Sequence, residues 1–138
     1  MKEQIVSMDK VSLSFGNTRA LKDVSFHIYK GEIFGFLGPS GAGKTTTIKL
    51  MTKQLKPDHG NIQIFNQDIA MLGNALFDHI GVLSDNSGMY EKMSVYENLK
   101  IFADLKRVPH ERIEEVLKKT RLWDDRKKKA QNLSRGMK

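Results

Sequence analysis

Residues 38–45 read Gly-Pro-Ser-Gly-Ala-Gly-Lys-Thr, the pattern G-x-x-x-x-G-K-[ST], and few stretches of this length restrict a fold so tightly. The glycines turn the backbone so that successive N–H groups point inward as an anion nest, and a helix starting on the loop adds the positive end of its dipole. Such a loop therefore requires a strand leading in and a helix leading out. Ile33-Phe34-Gly35-Phe36-Leu37 is apolar without a break, as suits a central strand covered on both faces. After the loop, Ile48, Met51 and Leu55 follow helical spacing, and Lys56-Pro57-Asp58-His59-Gly60 is expected to stop that helix. Phosphate is the ligand this arrangement admits. Gly38, Pro39, Ser40, Gly41, Ala42 and Gly43 would form the cradle, Lys44 would reach the β- and γ-phosphates, the Thr45 hydroxyl would hold a bridging Mg²⁺, and Thr46 would add a contact. The competing reading is a glycine-rich turn with an accidental lysine, which average residue frequencies produce in roughly one of a couple of hundred chains this size. The loop alone does not separate kinase, GTPase, helicase and transporter ATPase.

The hydrophobic period changes along the chain and divides it. Val11, Leu13 and Phe15 alternate with serines, and Val24, Phe26 and Ile28 alternate with polar neighbours, which predicts two half-buried strands joined at Gly16-Asn17. Residues 61–65 predict a further strand, and Ile80-Gly81-Val82-Leu83 a short buried one followed by a polar loop over 84–88. Beyond that the pattern is helical. Ser94 and Glu97 form a capping box ahead of the apolar stripe Val95, Leu99, Phe102 and Leu105. Pro109 suits the first turn of a second helix, lined on one face by Ile113, Val116, Leu117 and Thr120. The expectation is an α/β core over 1–93 and a helical subdomain over 94–138.

A chain of 138 residues buries about two-thirds of its unfolded surface, enough for a hydrophobic core without staples. The absence of cysteine excludes thiol catalysis, zinc-thiolate sites and a disulfide-built secreted module. No stretch approaches the ~18 apolar residues of a membrane span, and Lys2-Glu3-Gln4 opposes a signal peptide, so the chain reads as cytosolic. The first 104 residues hold 11 basic and 11 acidic side chains, so the formal charge of +7 lies wholly in the last 34. That stretch offers only Trp123 as an aromatic among its cations, which argues against a nucleic-acid partner. Arg126-Lys127-Lys128-Lys129 is expected at a solvated turn or helix C-terminus, where the dipole favours cations.

Four ordered segments resemble the ATP-binding subunit of an ABC transporter. They are LSFGNTRALKDVSF at 13–26, GEIFGFLGPSGAGKTTTIKL at 31–50, IGVLSDNSGMYEKMSVYENL at 80–99 and LSRGMK at 133–138. The resemblance implies the P-loop NTPase fold of ABC ATPase type, with an N-terminal antiparallel β subdomain and a helical subdomain. It implies ATP and Mg²⁺ as cofactors, and a cytoplasmic protein held at the inner face of the membrane by a membrane-spanning subunit. Phe15 matches the aromatic that stacks on adenine, worth ~1 kcal/mol with little base selectivity, although the same residue also fits a plain strand position. Asp85 falls where the family usually has a glutamine; it would ligate Mg²⁺ or orient water, or it is a solvated loop carboxylate. Ser134 and Gly136 match the family signature, which donates to the γ-phosphate of ATP held by a second subunit in a head-to-tail dimer. The segment around Asp85 looks most like bacitracin- or lantibiotic-type peptide exporters.

The family's domain continues with a strand ending in an Asp for Mg²⁺, an adjacent Glu that polarises water, and a His near the γ-phosphate, none of which lies in 1–138. The resemblance therefore implies an incomplete core, exposed strand edges, and little or no hydrolysis by these 138 residues alone. Two other readings stay open: a soluble ABC-type ATPase outside transport, and a non-catalytic nucleotide-binding fragment.

Overall fold

The computed structural model describes residues 2–83, 88–134 and 136–137. The strands are β1 (Gln4–Phe15), β2 (Thr18–Tyr29), β3 (His59–Ile64) and β4 (Gln67–Asp68), and the helices are α1 (Lys44–Met51), α2 (Leu76–His79), α3 (Val95–Lys106) and α4 (Glu111–Lys119), with a 3₁₀ turn at Ala130–Asn132. Contacts group the chain into two units, Met1–Val82 and Leu83–Lys138.

The first unit is built on a four-stranded antiparallel sheet in the order β2-β1-β3-β4. Because β1 is paired along both edges, its inward side chains are the most completely enclosed, and Met8 and Val11 have no exposed surface. Those two residues are three apart, which a regular strand would put on opposite faces. A bulge reconciles them. The register slips between Met8 and Val11 against β2 and between Asp9 and Ser12 against β3, with Lys10 in the left-handed region at φ 48°. Across from the bulge, β3 passes so close that a Cβ on Gly60 would lie 2.4 Å from the Lys10 carbonyl oxygen and 2.6 Å from that of Asp9. Leu13, Leu21, Ile62 and Ile64 complete the sheet's inner face, and Leu50 of α1, Ile69 and Leu76 cover it.

Two expected strands are absent from the described sheet. Residues 33–37 are not paired, and Ile33 and Leu37 stand fully in solvent; only Phe34 and Phe36 find company, packing on Phe26 of β2 with centroids 5.1 and 5.3 Å away. Ile80 packs on the first core, while Val82 and Leu83 are exposed and unpaired. An apolar run becomes a central strand only where ladder partners flank it, and among the described residues no strand pairs with either run: the sheet ends at β2 on one side and β4 on the other. Helix α1 also ends earlier than Pro57. The Thr52 hydroxyl donates back to the Ile48 carbonyl at 2.9 Å and Lys53 turns left-handed at φ 57°, so the chain leaves the helix before the proline is reached. Neither β4 nor α2 was legible in the pattern.

In the second unit Ser94 caps α3 as expected: its hydroxyl accepts from the Glu97 N–H at 3.2 Å and its own N–H donates to the Glu97 carboxylate at 2.7 Å. The apolar stripe runs differently. Val95 and Ala103 are buried, but Phe102 and Leu105 are exposed, and Asn98 takes a place in the interior. Its side chain accepts from the Tyr90 N–H at 2.7 Å and donates to the Ser94 carbonyl at 2.9 Å, so the segment before α3 is tied to the helix by a satisfied buried amide. On α4, Ile113 and Leu117 are buried; Val116 is exposed and Thr120 forms the C-cap. The basic run 126–129 is a turn rather than a helix C-terminus. The carbonyls of Lys128 and Arg126 accept from the Val95 and Tyr96 N–H groups at 3.0 and 2.9 Å, which sets this cationic turn against the N-terminus of α3.

Replacing Gly60 by alanine should lower the stability of the first unit by more than the ~1–2 kcal/mol of a left-handed alanine, because the β1 bulge must also move; chemical denaturation monitored by circular dichroism measures it. The Ser94 backbone N–H and hydroxyl hold the Glu97 carboxyl below the usual carboxylate range. A carboxyl whose folded value is depressed stabilises the fold above its unfolded value, and that contribution is lost as pH falls through the folded value. Glu97→Gln should therefore flatten the acid limb of the pH–stability curve below about pH 4.5 while leaving Ser94 to cap α3, and an unchanged acid limb would contradict the assignment.

Candidate phosphate-binding site

The loop sits where the first unit's sheet meets the start of α1. Gly43 is the N-cap of α1 in the left-handed conformation, φ 87°, and a Cβ there would lie 2.5 Å from Leu21 Cδ2 and 3.0 Å from the Ala20 carbonyl oxygen. The helix start is thus pressed directly onto β2, a closeness only glycine permits. The first helical hydrogen bond runs from the Thr47 N–H to the Gly43 carbonyl at 2.8 Å, and the Thr47 hydroxyl donates to the same oxygen at 2.9 Å. The N–H groups of Lys44, Thr45 and Thr46 consequently have no acceptor within the helix. No side chain caps them, and the first turn contains no carboxylate.

Lys44 folds its ammonium back over the loop, donating to the Gly38 and Pro39 carbonyls, each at 2.7 Å. The Ala42 N–H closes the inner turn onto Pro39 at 3.2 Å. Around this runs a cavity of about 450 Å³ lined by Ser40, Gly41, Ala42, Gly43, Lys44, Thr45 and Thr46, within the usual size of a small-ligand site. Among the described residues its lining supplies one ammonium, three hydroxyls and backbone donors, with no carboxylate to repel an anion. A polyphosphate fits this donor set in charge and in hydrogen-bonding character. Two larger cavities, near α2 and beside β4, are lined by Phe65, Leu72 and Leu76 or by Leu50, Pro57 and Ile62, and neither offers a comparable nest.

Phe15 ends β1 with its ring half exposed, 51%, beside the hairpin turn. Asp85 lies outside the described residues. Ser134 is exposed just after the 3₁₀ turn, in a short turn closed by the Met137 N–H donating to its carbonyl at 3.0 Å; Leu133 and Met137 anchor that turn in the second core, and space around Gly136 is open. The organising role of Asn98 escaped the pattern, since a lone asparagine inside a helix carries no signal beyond its polarity.

Set beside known proteins, residues 21–138 match the family model described as ABC transporter. The chain belongs to the ABC transporter ATP-binding family, with the P-loop NTPase fold of its solved members. It is 37% identical over 134 residues to the ABC transporter ATP-binding protein YhcH of Bacillus subtilis, covering 96% of this chain and 44% of that one. It is 30% identical over 137 residues to the bacitracin transport ATP-binding protein BcrA of Enterococcus faecalis, covering 99% and 44%. The chain thus spans less than half the length of these relatives. Among solved structures, cbiO1 from Clostridium perfringens, described as part of the ABC transporter complex cbiONQ, superposes with a TM-score of 0.85 at 26% identity over 98% of this chain and 57% of its own. A nucleotide-free ATP-binding cassette from an ABC transporter gives 0.76 at 27% identity, covering 95% and 59%.

Gly43→Ala should detach the start of α1 from β2, costing at least the ~1–2 kcal/mol of a left-handed alanine, with Leu21 displaced as well. Thermal unfolding checks this, and a melting temperature equal to that of the parent chain would show that the loop is not seated as described.

Proposed function

We propose that this chain is the nucleotide-binding part of an ABC transporter's ATP-binding subunit, which couples ATP binding and hydrolysis to export across a membrane. The observation that carries the reading is the Lys44 ammonium, poised at the N-terminus of α1 on two loop carbonyls at 2.7 Å with no carboxylate in the surrounding cavity among the described residues. A bound triphosphate offers Lys44 stronger, charged acceptors than the Gly38 and Pro39 carbonyls, so the same ammonium that braces the loop would swing onto the β- and γ-phosphates. The N–H groups of Gly41 and of Gly43 to Thr46 would take the remaining phosphate oxygens. The Thr45 hydroxyl would hold Mg²⁺, which neutralises charge developing on the transferred phosphoryl group when bound. Half-exposed at the sheet's end, Phe15 would offer the adenine a stacking face.

Transport rather than a soluble role is favoured because the relatives include a protein described as acting in bacitracin transport and a structure described as part of a transporter complex. On this reading the protein works at the cytoplasmic face of the membrane beside a membrane-spanning subunit, and no helix among the described residues is long and apolar enough to cross a membrane itself. Ser134 and Gly136 would complete the site of a second ATP-binding subunit in a head-to-tail dimer, and their exposed turn leaves them accessible for that contact. Asp85 would serve as a Mg²⁺ ligand or orient water. Hydrolysis would belong to the complete subunit, because phosphoryl transfer needs a group that positions the attacking water and, among the described residues, no carboxylate lines the loop's cavity.

Isothermal titration with Mg-ATP tests the assignment. Lys44→Ala should weaken binding by about one to two orders of magnitude, the worth of a charged hydrogen bond to phosphate. Arg126→Ala should leave affinity unchanged and instead cost about 0.5–1 kcal/mol of stability through its stacking on Trp123. Equal losses of affinity in both variants would contradict these two roles.

A further inference from the structure

The surplus charge of the chain collects in a part of the second unit that the fold does not need it for. Residues 121–129 hold five cations and two carboxylates. Asp125 pairs with Lys128 at 2.6 Å, and on α4 Lys118 and Lys119 pair with Glu114 and Glu115 at 2.6 and 2.7 Å. Arg121, Arg126, Lys127 and Lys129 have no carboxylate partner among the described residues. Arg126 is explained by packing: its guanidinium lies 4.3 Å from the Trp123 ring centroid and donates to the Trp123 carbonyl at 2.8 Å. The other three are exposed, and no hydrogen bond or ion pair among the described residues holds their side chains. A helix dipole accounts for Arg121, which follows the C-cap of α4, but not for Lys127 and Lys129, which lie on the part of the turn that abuts the positive end of α3, where cations are disfavoured.

The kind of anion such a surface suits follows from its shape. None of the three cavities described above is lined by this turn, and Arg121, Lys127 and Lys129 are exposed, so the charges face solvent rather than lining one of those sites. Nucleic acid would want free aromatic faces, but the single aromatic here has Arg126 laid over its ring and Lys118 Nζ 5.6 Å from its centroid. An extended, laterally mobile array of anionic headgroups makes no such demand and rewards each cation that comes within a Debye length.

We propose that the turn at 121–129, through Arg121, Lys127 and Lys129, contacts anionic phospholipid headgroups directly. This rests on the preceding reading insofar as that reading puts the protein beside a membrane. Lipid contact by this turn is additional to any attachment through a membrane-spanning subunit.

The test is co-sedimentation of the 138-residue chain with vesicles of phosphatidylcholine alone and of phosphatidylcholine mixed with phosphatidylglycerol. Binding should require phosphatidylglycerol and fade as salt rises. The variant Lys127→Gln/Lys129→Gln should bind about 25-fold more weakly, roughly fivefold for each cation lost near the surface. The control Lys100→Gln/Arg107→Gln removes equal charge from α3 and its far end and should bind as the parent does. Equal loss in both variants, indifference to phosphatidylglycerol, or tighter binding to duplex or single-stranded DNA than to the vesicles at the same salt would each overturn the proposal. Circular dichroism confirms that the variants keep their helices. Mg-ATP titration of the same preparations separates the two readings: both glutamine variants should keep the parent's affinity, so absent nucleotide binding with intact lipid binding would sink the functional assignment alone.

Discussion

Everything at the phosphate loop depends on the contact of Gly43 with β2. A cradle of backbone N–H groups has no rigidity of its own, and eight residues of helix would not hold their direction in water. What fixes them is a place where the backbone comes so near Leu21 and Ala20 that no side chain fits between. From that point α1 departs at a set angle, Leu50 and Thr47 turn inward, and Lys44, Thr45 and Thr46 are left with their N–H groups facing the cavity. The Lys44 bridge to Gly38 and Pro39 closes the loop from the other side. One close packing contact and one charged brace thus hold this cradle of donors in shape.

That seat is only as firm as β2, and β2 is held by β1. The bulge at Lys10 lets β1 turn Met8 and Val11 to the same side, where a regular strand would lose one of them to solvent. Gly60 accommodates the bulge from β3, and Asp58, accepting from the Ser14 N–H at 2.8 Å, pins the strand beyond it. The Ser12 hydroxyl, buried next to the irregularity, accepts from the Asp23 N–H at 2.9 Å and donates to the Asp23 carboxylate at 3.1 Å, so it is not left orphaned. Irregular strand geometry here concentrates the core under β1, and α1 packs on that core.

The parts legible in the sequence were those fixed by local chemistry. The phosphate loop, the capping box at Ser94 and Glu97, and the β1–β2 hairpin each depend on residues within a few positions of one another, and each stands where those residues put it. The misread segments depend on partners remote in the chain. Ile33 and Leu37 are apolar enough for a central strand, yet apolarity states only that a segment would be buried if something lay beside it. The α3 stripe holds at Val95 and Leu99 but not at Phe102 and Leu105, for a related reason. Helical spacing marks Phe102 and Leu105 as well as Val95, but which residues are buried is decided by α4 and by the turn at 126–133, and these cover Val95, Asn98 and Ala103.

Of the two placements expected for the basic run 126–129, a solvated turn or a helix C-terminus, the structure has the turn. A run of cations after a helix is ordinarily taken as compensation for a helix C-terminus, and that inference needs the run to end where its own helix ends. Here the chain passes α4, makes a turn at Trp123, and offers the carbonyls of residues 126 and 128 to the N-terminus of the other helix. The backbone dictates this placement, because α3 needs acceptors for its first N–H groups and Ser94 supplies only one. The side chains that travel with those carbonyls then stand at the positive end of a dipole. Among the described residues Arg126, through Trp123, and Lys128, through Asp125, recover that cost locally, while Lys127 and Lys129 carry their charge at the exposed surface.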